Sequence, residues 1–269
     1  MIFANHAHIF PEQLRAEGTV DKLLAFLDEC GIDKAVTFPT FPDRFADAGI
    51  DEDTNVWLAK QIKGQDRLVG FGVIDFEKDD LKGQVERIAD LGFKGLKMHP
   101  PYQEFVIDGP EAFEVYEKCS ELGLFISFHS GMHWHRLRDN HVLLFDEVAW
   151  NFPKLKFSME HIGGYHFFKD ALAVMCNNSR NKQGGGVYAG WTSVGDHKGK
   201  GNEWHLTDEE LETVIYQTGE DRSIFGLDFP YSKPEHIKSD IARIKRLDIS
   251  EECKEKILGK TLESVLFDR

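Results

Sequence analysis

Four cysteines are spread over 269 residues, at positions 30, 119, 176 and 253, and no two of them form a Cys-x-x-Cys pair. This excludes a thiolate zinc finger and a disulfide framework as organising principles, and reduced thiols in a cytosolic protein are the default. Positive charge is also scarce, because 32 Lys plus Arg against 46 Asp plus Glu leave a net charge of -14. Such a surface repels phosphate backbones and anionic membranes, so neither nucleic acid nor a membrane is an expected partner. No apolar run approaches the roughly 20 residues that span a bilayer. No basic stretch followed by an apolar one precedes the first strand-like run at residue 2, so no signal peptide is read and a cytoplasmic location is expected. No Gly-x-Gly-x-x-Gly follows that first run, which argues against a doubly wound nucleotide-binding sheet. Linker, solenoid repeat and low-complexity tail are missing too, and residues 1–269 are expected to form one domain.

With 41% hydrophobic and 12% aromatic residues, the chain can build a sizeable core. Short β-branched and aromatic runs predict strands over 2–9, 35–40, 67–75, 93–99, 125–131, 156–163, 187–194 and 223–229. Their spacing of roughly 30 residues suits parallel crossovers and is too long for hairpins. Several are apolar throughout, as in Ala35-Val36-Thr37-Phe38, which fits strands covered on both faces. Between them lie helical patterns: Leu23, Leu24, Phe26 and Leu27 follow the cap Thr19 and stop at Gly31. A second stripe, Phe113, Val115, Tyr116 and Cys119, closes at Gly123, and a third around Leu144 and Val148 ends at Pro153. Thr207-Asp208-Glu209-Glu210 opens another helix with acids in its first turn, and 233–246 and 250–266 are helical. The polar stretches Asn177–Gly186 and Gly195–Gly201 read as loops around the seventh strand. Eight βα units in a chain of this length predict a single (β/α)8 TIM barrel in the α/β class.

Active sites of such barrels form at the carboxyl ends of the strands. His6 and His8 lie on the first strand, where alternation projects them from one face. Lys97 and His99 end the fourth, His129 the fifth, His161 the sixth, and Asp228 the eighth. Five strands therefore carry imidazole or carboxylate groups at the same end. His6, His8, His129 and Asp228 offer three nitrogens and one oxygen to a divalent ion. His161 would ligate, or stand off the ion as a general acid or base, and Asp228 would double as a proton acceptor.

These pieces resemble the amidohydrolase superfamily, in particular its amidohydrolase-related (amidohydrolase-2-like) hydrolase and decarboxylase branch. The matching segments are His6-Ala7-His8, Gly92–Pro100, Phe128-His129-Ser130-Gly131, Glu160-His161-Ile162-Gly163-Gly164 and Gly226-Leu227-Asp228-Phe229-Pro230. The closing Lys256–Thr261 also resembles the branch, with Thr261 where Asn is more usual, and the resemblance spans residues 2 to 268. It implies metal ligation by His6, His8, His129 and Asp228, and a substrate-positioning or proton-transferring role for His161. Binuclear members carry a carboxylated lysine on strand 4, whereas the branch resembled here binds one ion. Lys97 is thus a bridging lysine, a substrate-anion contact, or an internally paired side chain. A dimer or tetramer is compatible with the resemblance.

The expected activity is a metal-dependent hydrolase acting on an amide, lactone or ester of a small, acidic substrate. The alternative is non-oxidative decarboxylation of an aromatic or unsaturated acid. An inactive barrel and a metal-dependent deoxyribonuclease rank below these; the nuclease family carries glutamate where Lys97 stands. Zn²⁺ is the preferred ion, with Mn²⁺ or others able to share the ligands. Lys97, His99 and Arg180 are the candidate substrate contacts, although His99 also suits a cap before Pro100. Trp191 and His197 are further candidates near strand 7, while His133 and His135 are expected in the loop after strand 5. Glu160, next to His161, is expected to face the helices.

Overall fold

In the computed structural model, which describes residues 1–197 and 204–268, eight parallel strands pair in chain order and the last returns to the first, closing a barrel. They are β1 (Phe3–Ile9), β2 (Lys34–Pro39), β3 (Leu68–Gly72), β4 (Gly95–Met98), β5 (Phe125–His129), β6 (Lys156–Glu160), β7 (Gly186–Trp191) and β8 (Ser223–Phe229). Helices alternate with the strands, as a right-handed parallel crossover requires.

Local chemistry sets the helix ends. Thr19 accepts a hydrogen bond from the Lys22 amide, and the helix Val20–Cys30 stops at Gly31, whose φ of 68° is left-handed. Thr207 and Glu210 form a reciprocal capping box ahead of the helix Asp208–Thr218.

Four strands, β3, β5, β6 and β7, end two or three residues earlier at their carboxyl ends than the apolar runs suggest. Val73, just past β3, is buried but bonded on both sides by the Asn55 side chain, its amide at 2.8 Å and its carbonyl at 3.0 Å, so it leaves the sheet without losing its partners. After β6 the chain turns through His161–Gly163, with φ of 66° at His161 and 51° at Ile162. β5 likewise ends at His129 rather than running on to residue 131. Of the polar runs expected as loops, Asn177 and Asn178 end the helix Gly164–Asn178, and residues 198–201 lie outside the described residues.

The barrel interior is layered. Phe3, Val36, Phe71, Phe125, Tyr188 and Ile224 fill its amino-terminal end, sealed by Leu262 of the closing helix Thr261–Phe267, while Phe38 of the same cluster stands level with His8 and packs on its ring. Above them lies a polar layer of Asn5, Lys97, Ser127, Ser158 and Glu160, all fully buried. The other face of each strand packs on the helices: Ala4, Ala7, Ile9, Leu96, Met98, Phe128 and Met159 belong to that outer core. Strand spacing leaves no room for a side chain at Gly95, where a Cβ would sit 2.2 Å from the Phe125 carbonyl oxygen of the adjacent strand. Backbone cannot yield there cheaply, so Gly95→Ala is expected to destabilise the protein by about 1–3 kcal/mol, measured by denaturant unfolding. Unchanged stability would show that β4 and β5 relax freely.

Candidate metal centre and its pocket

His6 and His8 reach the same space by an irregularity rather than by alternation alone. Phe3 and Asn5 face the barrel interior, as alternation requires, but His6 adopts φ of 70° and also turns inward. Pairing with β2 shifts register between Ala4 and Ala7, and pairing with β8 shifts between Asn5 and Ala7. This bulge puts an extra residue on the inner face and lets Asn5, His6 and His8 all point in. Asp228 on β8 has φ of 57° and meets them from the neighbouring strand.

Asp228 Oδ1 lies 3.5 Å from His6 Nε2 and 3.5 Å from His8 Nε2. Among the described residues these three form the one group of metal-capable side chains whose ligand atoms all fall within 4.8 Å of one another. A tetrahedral ion with bonds of about 2.0–2.2 Å holds its ligand atoms about 3.3–3.6 Å apart, so the spacing fits a divalent metal. The chemistry fits too. Burial holds His6 well below the usual imidazole range, and His8 below it, so both are neutral donors. Burial would raise the Asp228 carboxyl, but the His8 contact and the surrounding imidazoles outweigh it and keep it well below the usual carboxylate range. Its second oxygen accepts from Ser193 Oγ at 2.8 Å.

His129 stands outside the tight group. Its ring stacks on His99 at 3.9 Å, nearly parallel, and lies 4.9 Å from the His161 ring. Its Nε2 is buried and has no hydrogen-bond partner, the kind of orphan that a bound ion or substrate satisfies. His161 lies 5.5 Å from His6, ring to ring, and its Nδ1 is 2.8 Å from the Thr192 carbonyl oxygen. A carbonyl only accepts, so Nδ1 carries the proton and Nε2 keeps its lone pair. His99 has the opposite tautomer: its Nδ1 accepts the Tyr102 amide at 3.3 Å, capping the helix Pro100–Gln103, and a neutral ring then carries its proton on Nε2.

These residues open onto a cavity of about 660 Å³. Phe41, Tyr102, Trp204 and Tyr231 form aromatic walls, and Arg15 and Arg44 add two guanidinium groups. Arg15 lies 4.3 Å above the Tyr231 ring and bonds Glu17. Arg44 donates to the Tyr102 hydroxyl at 2.8 Å, which in turn donates to Asp43 at 2.8 Å. Burial and Asp43 push the Tyr102 phenol up to about 12, so it remains a hydroxyl. His133, His197 and His236 also line the cavity, His197 being held by Asp240 at 2.8 Å and stacked on His236 at 4.5 Å. Buried Arg243 pins the segment carrying Ser193 and His197, donating to the carbonyls of Val194 and Leu206.

Other sequence-based candidates fall elsewhere. Lys97 is fully buried below the cavity, its Nζ 5.6 Å from the Phe38 ring and without a hydrogen-bond partner; burial lowers it to about 8 against the pull of Glu160 and Asp228. Arg180 is not brought to the site. It precedes β7, at the amino-terminal end of the barrel, where it pairs with Asp221 at 2.9 Å. Trp191 is buried in the outer core, and His135 does not line the cavity. Glu160 does not face the helices: with φ positive at His161, both residues turn inward, and Glu160 is fully buried in the polar layer. Reading strand ends alone overlooks Arg15, Arg44 and Tyr231, which sit just after β1, β2 and β8, Arg44 in the short helix Pro42–Asp47.

A family model described as amidohydrolase (Amidohydro_2) matches residues 4–261. The chain belongs to this amidohydrolase family and is an enzyme of its metal-dependent type. No curated protein sequence matches it. Among solved structures, an uncharacterised TIM-barrel protein of Bordetella bronchiseptica is 15% identical, with a TM-score of 0.76 over 98% of each chain. A dihydroxybenzoic acid decarboxylase from a Polaromonas species, with bound manganese and the inhibitor 2-nitroresorcinol, is 17% identical, with a TM-score of 0.71 over 98% of this chain and 96% of that one. A proposed 2-pyrone-4,6-dicarboxylic acid hydrolase from Pseudomonas putida is also 17% identical, with a TM-score of 0.71 over 98% and 97%. At these identities the likeness carries the fold. No helix among the described residues is long and apolar enough to cross a membrane.

Proposed function

We propose that this chain is a divalent-metal-dependent hydrolase that cleaves a C–N or C–O bond, in an amide, lactone or ester, of a small acidic molecule. The observation that carries this reading is the convergence of His6 Nε2, His8 Nε2 and Asp228 Oδ1 at the open end of the barrel. His6, His8 and Asp228 hold the ion and His129 completes the set with its unpartnered nitrogen. Imidazole and carboxylate donors favour Zn²⁺ and accept Mn²⁺. When bound, the ion supplies Lewis acidity, which brings the pKa of a water near neutral or anchors and polarises a substrate oxygen.

The remaining work belongs to side chains of this chain. His161, with Nδ1–H committed to Thr192, presents Nε2 as a proton acceptor towards the cavity, and Asp228 is the second acceptor. His99 presents Nε2–H as a donor to a substrate oxygen. Arg15 and Arg44 hold the acidic group of the substrate, Arg44 being oriented by Tyr102. Lys97, lying below the cavity, adds positive charge beneath the site.

A second reading, decarboxylation of an aromatic acid, draws support from the walls of Phe41, Tyr102, Trp204 and Tyr231, which suit a flat ring. One experiment separates the two. Protein purified without chelator is expected to carry a stoichiometric divalent ion and to hydrolyse acid-bearing lactones, amides or esters without releasing carbon dioxide. Carbon dioxide from hydroxybenzoate-like acids would favour the second reading, and a protein that neither holds nor binds Zn²⁺ or Mn²⁺ would sink both. Arg44→Met is expected to raise KM about 10- to 100-fold, the worth of one charge-assisted bond, with kcat nearly unchanged.

A further inference from the structure

Glu160 is fully buried in a barrel interior that branched apolar side chains ordinarily fill. A carboxylate there is costly unless its lone pairs are satisfied. Here Oε1 accepts from Asn5 Nδ2 at 2.7 Å, from Ser127 Oγ at 3.2 Å and from Ser158 Oγ. Oε2 accepts from Thr192 Oγ1 at 2.5 Å and lies 3.5 Å from His6 Nδ1. Three strands, β1, β5 and β6, and Thr192 just past β7 thus contribute to one buried anion. Two bare backbone positions make room for it: a Cβ at Gly190 would sit 2.5 Å from the Glu160 carboxyl carbon, and one at Gly226 would sit 2.0 Å from Thr192 Oγ1.

We propose that Glu160 is a positioning residue that orients both His6 and His161 towards the metal centre. Oε1 has its three donors, which leaves Oε2 as the carboxylate oxygen that faces His6 Nδ1, at 3.5 Å an electrostatic contact rather than a hydrogen bond, while His6 Nε2 points towards Asp228. On the other side, Thr192 binds Oε2 through its hydroxyl and receives the His161 Nδ1–H on its carbonyl. One carboxylate therefore biases the tautomer and ring direction of two imidazoles, by its charge facing the unpartnered Nδ1 of His6 in one case and through a threonine in the other. Lys97 does not consume it, because Lys97 Nζ has no hydrogen-bond partner among the described residues. Carboxylate partners of ligating histidines act in this way, and losing one costs about 10- to 100-fold in metal affinity.

The inference rests on reading the site as a metal centre, and its test separates the two claims. Glu160→Gln in the full chain is expected to bind Co²⁺ about 10- to 100-fold more weakly and to shift the visible Co²⁺ spectrum at saturation. In metal-free protein, nitrogen-15 NMR is expected to find His6 protonated on Nδ1 in the wild type and redistributed between the two nitrogens in the variant. A role confined to stability would lower the melting temperature while leaving affinity, spectrum and tautomer unchanged, and that result overturns the proposal. If the wild type binds no Co²⁺, the metal reading falls and the His6 tautomer alone decides this one. Should Glu160→Gln fail to fold, Thr192→Val removes the Oε2 donor at nearly constant volume. At least threefold weaker Co²⁺ binding and an altered His6 signal are then expected, and wild-type values for both overturn the proposal.

Discussion

Asp228→Asn is expected to lose its divalent ion and at least about 1,000-fold in kcat/KM, the equivalent of several kcal/mol of Lewis-acid stabilisation. Oδ1 lies 3.5 Å from each of the two Nε2 nitrogens, so it is the corner on which the site closes. Asparagine keeps the shape but removes the charge, and its amide can present hydrogens to the two imidazoles where an ion belongs. Loss of a partner of a ligating histidine costs about 10- to 100-fold in affinity; loss of a ligand is expected to exceed that. The fold should survive, because the substitution is isosteric and the Asp228 side chain is already 20% exposed. Metal content, melting temperature and kcat/KM measured on one preparation decide the matter. A variant that keeps its ion and its rate would remove Asp228 from the centre. Chelation followed by Zn²⁺ or Mn²⁺ should restore the wild type and leave the variant inactive.

The barrel was legible because its signals are local and repeated. Each apolar run, each stop such as Gly31 or Gly123 and each cap such as Thr207 states one element, and eight repetitions of the unit leave little choice of topology. His6, His8, His161 and Asp228 were legible for a related reason: strands of a barrel share one functional end, so position along the strand identifies them. Where alternation failed, the backbone had left the strand region. Positive φ at His6, His161 and Asp228 is invisible in residue types, since none of the three is glycine. Strict alternation places Glu160 towards the helices and fails for that reason, with His161 and Glu160 both turned inward.

Arg180 shows a different gap. A guanidinium among polar loop residues suggests an anion contact, but this loop enters β7 rather than leaving it, and so lies at the wrong end of the barrel. Arg15 and Arg44, which do line the cavity, stand in the segments that leave β1 and β2, Arg44 in the helix Pro42–Asp47. The direction of the chain through each loop follows from the strand order, and it separates Arg180, before β7, from this pair, after β1 and β2. By contrast, the tautomers of His99 and His161 depend on a backbone amide and a backbone carbonyl brought in by folding. Residue identity carries no trace of them.

Those tautomers give the sharpest test of roles within the pocket. His161→Ala is expected to lower kcat by about 100- to 10,000-fold, the range for removing a positioned acid or base, while the metal content stays at the wild-type level. The argument turns on distance and direction. His161 is buried, faces His6 ring to ring at 5.5 Å, and is absent from the group whose ligand atoms converge within 4.8 Å. Its Nδ1 proton is committed to the Thr192 carbonyl, and burial favours the neutral ring, so Nε2 is positioned to take a proton from an attacking water. A ligand role predicts a different pair of results, with metal and activity lost together. Added imidazole should recover part of the rate in His161→Ala if the missing group is a base, since a small diffusible base can enter a cavity of about 660 Å³ beside Trp204. It should recover nothing if the missing group is a ligand whose loss has emptied the site. Full activity in His161→Ala would show that proton transfer at this centre runs through Asp228 alone.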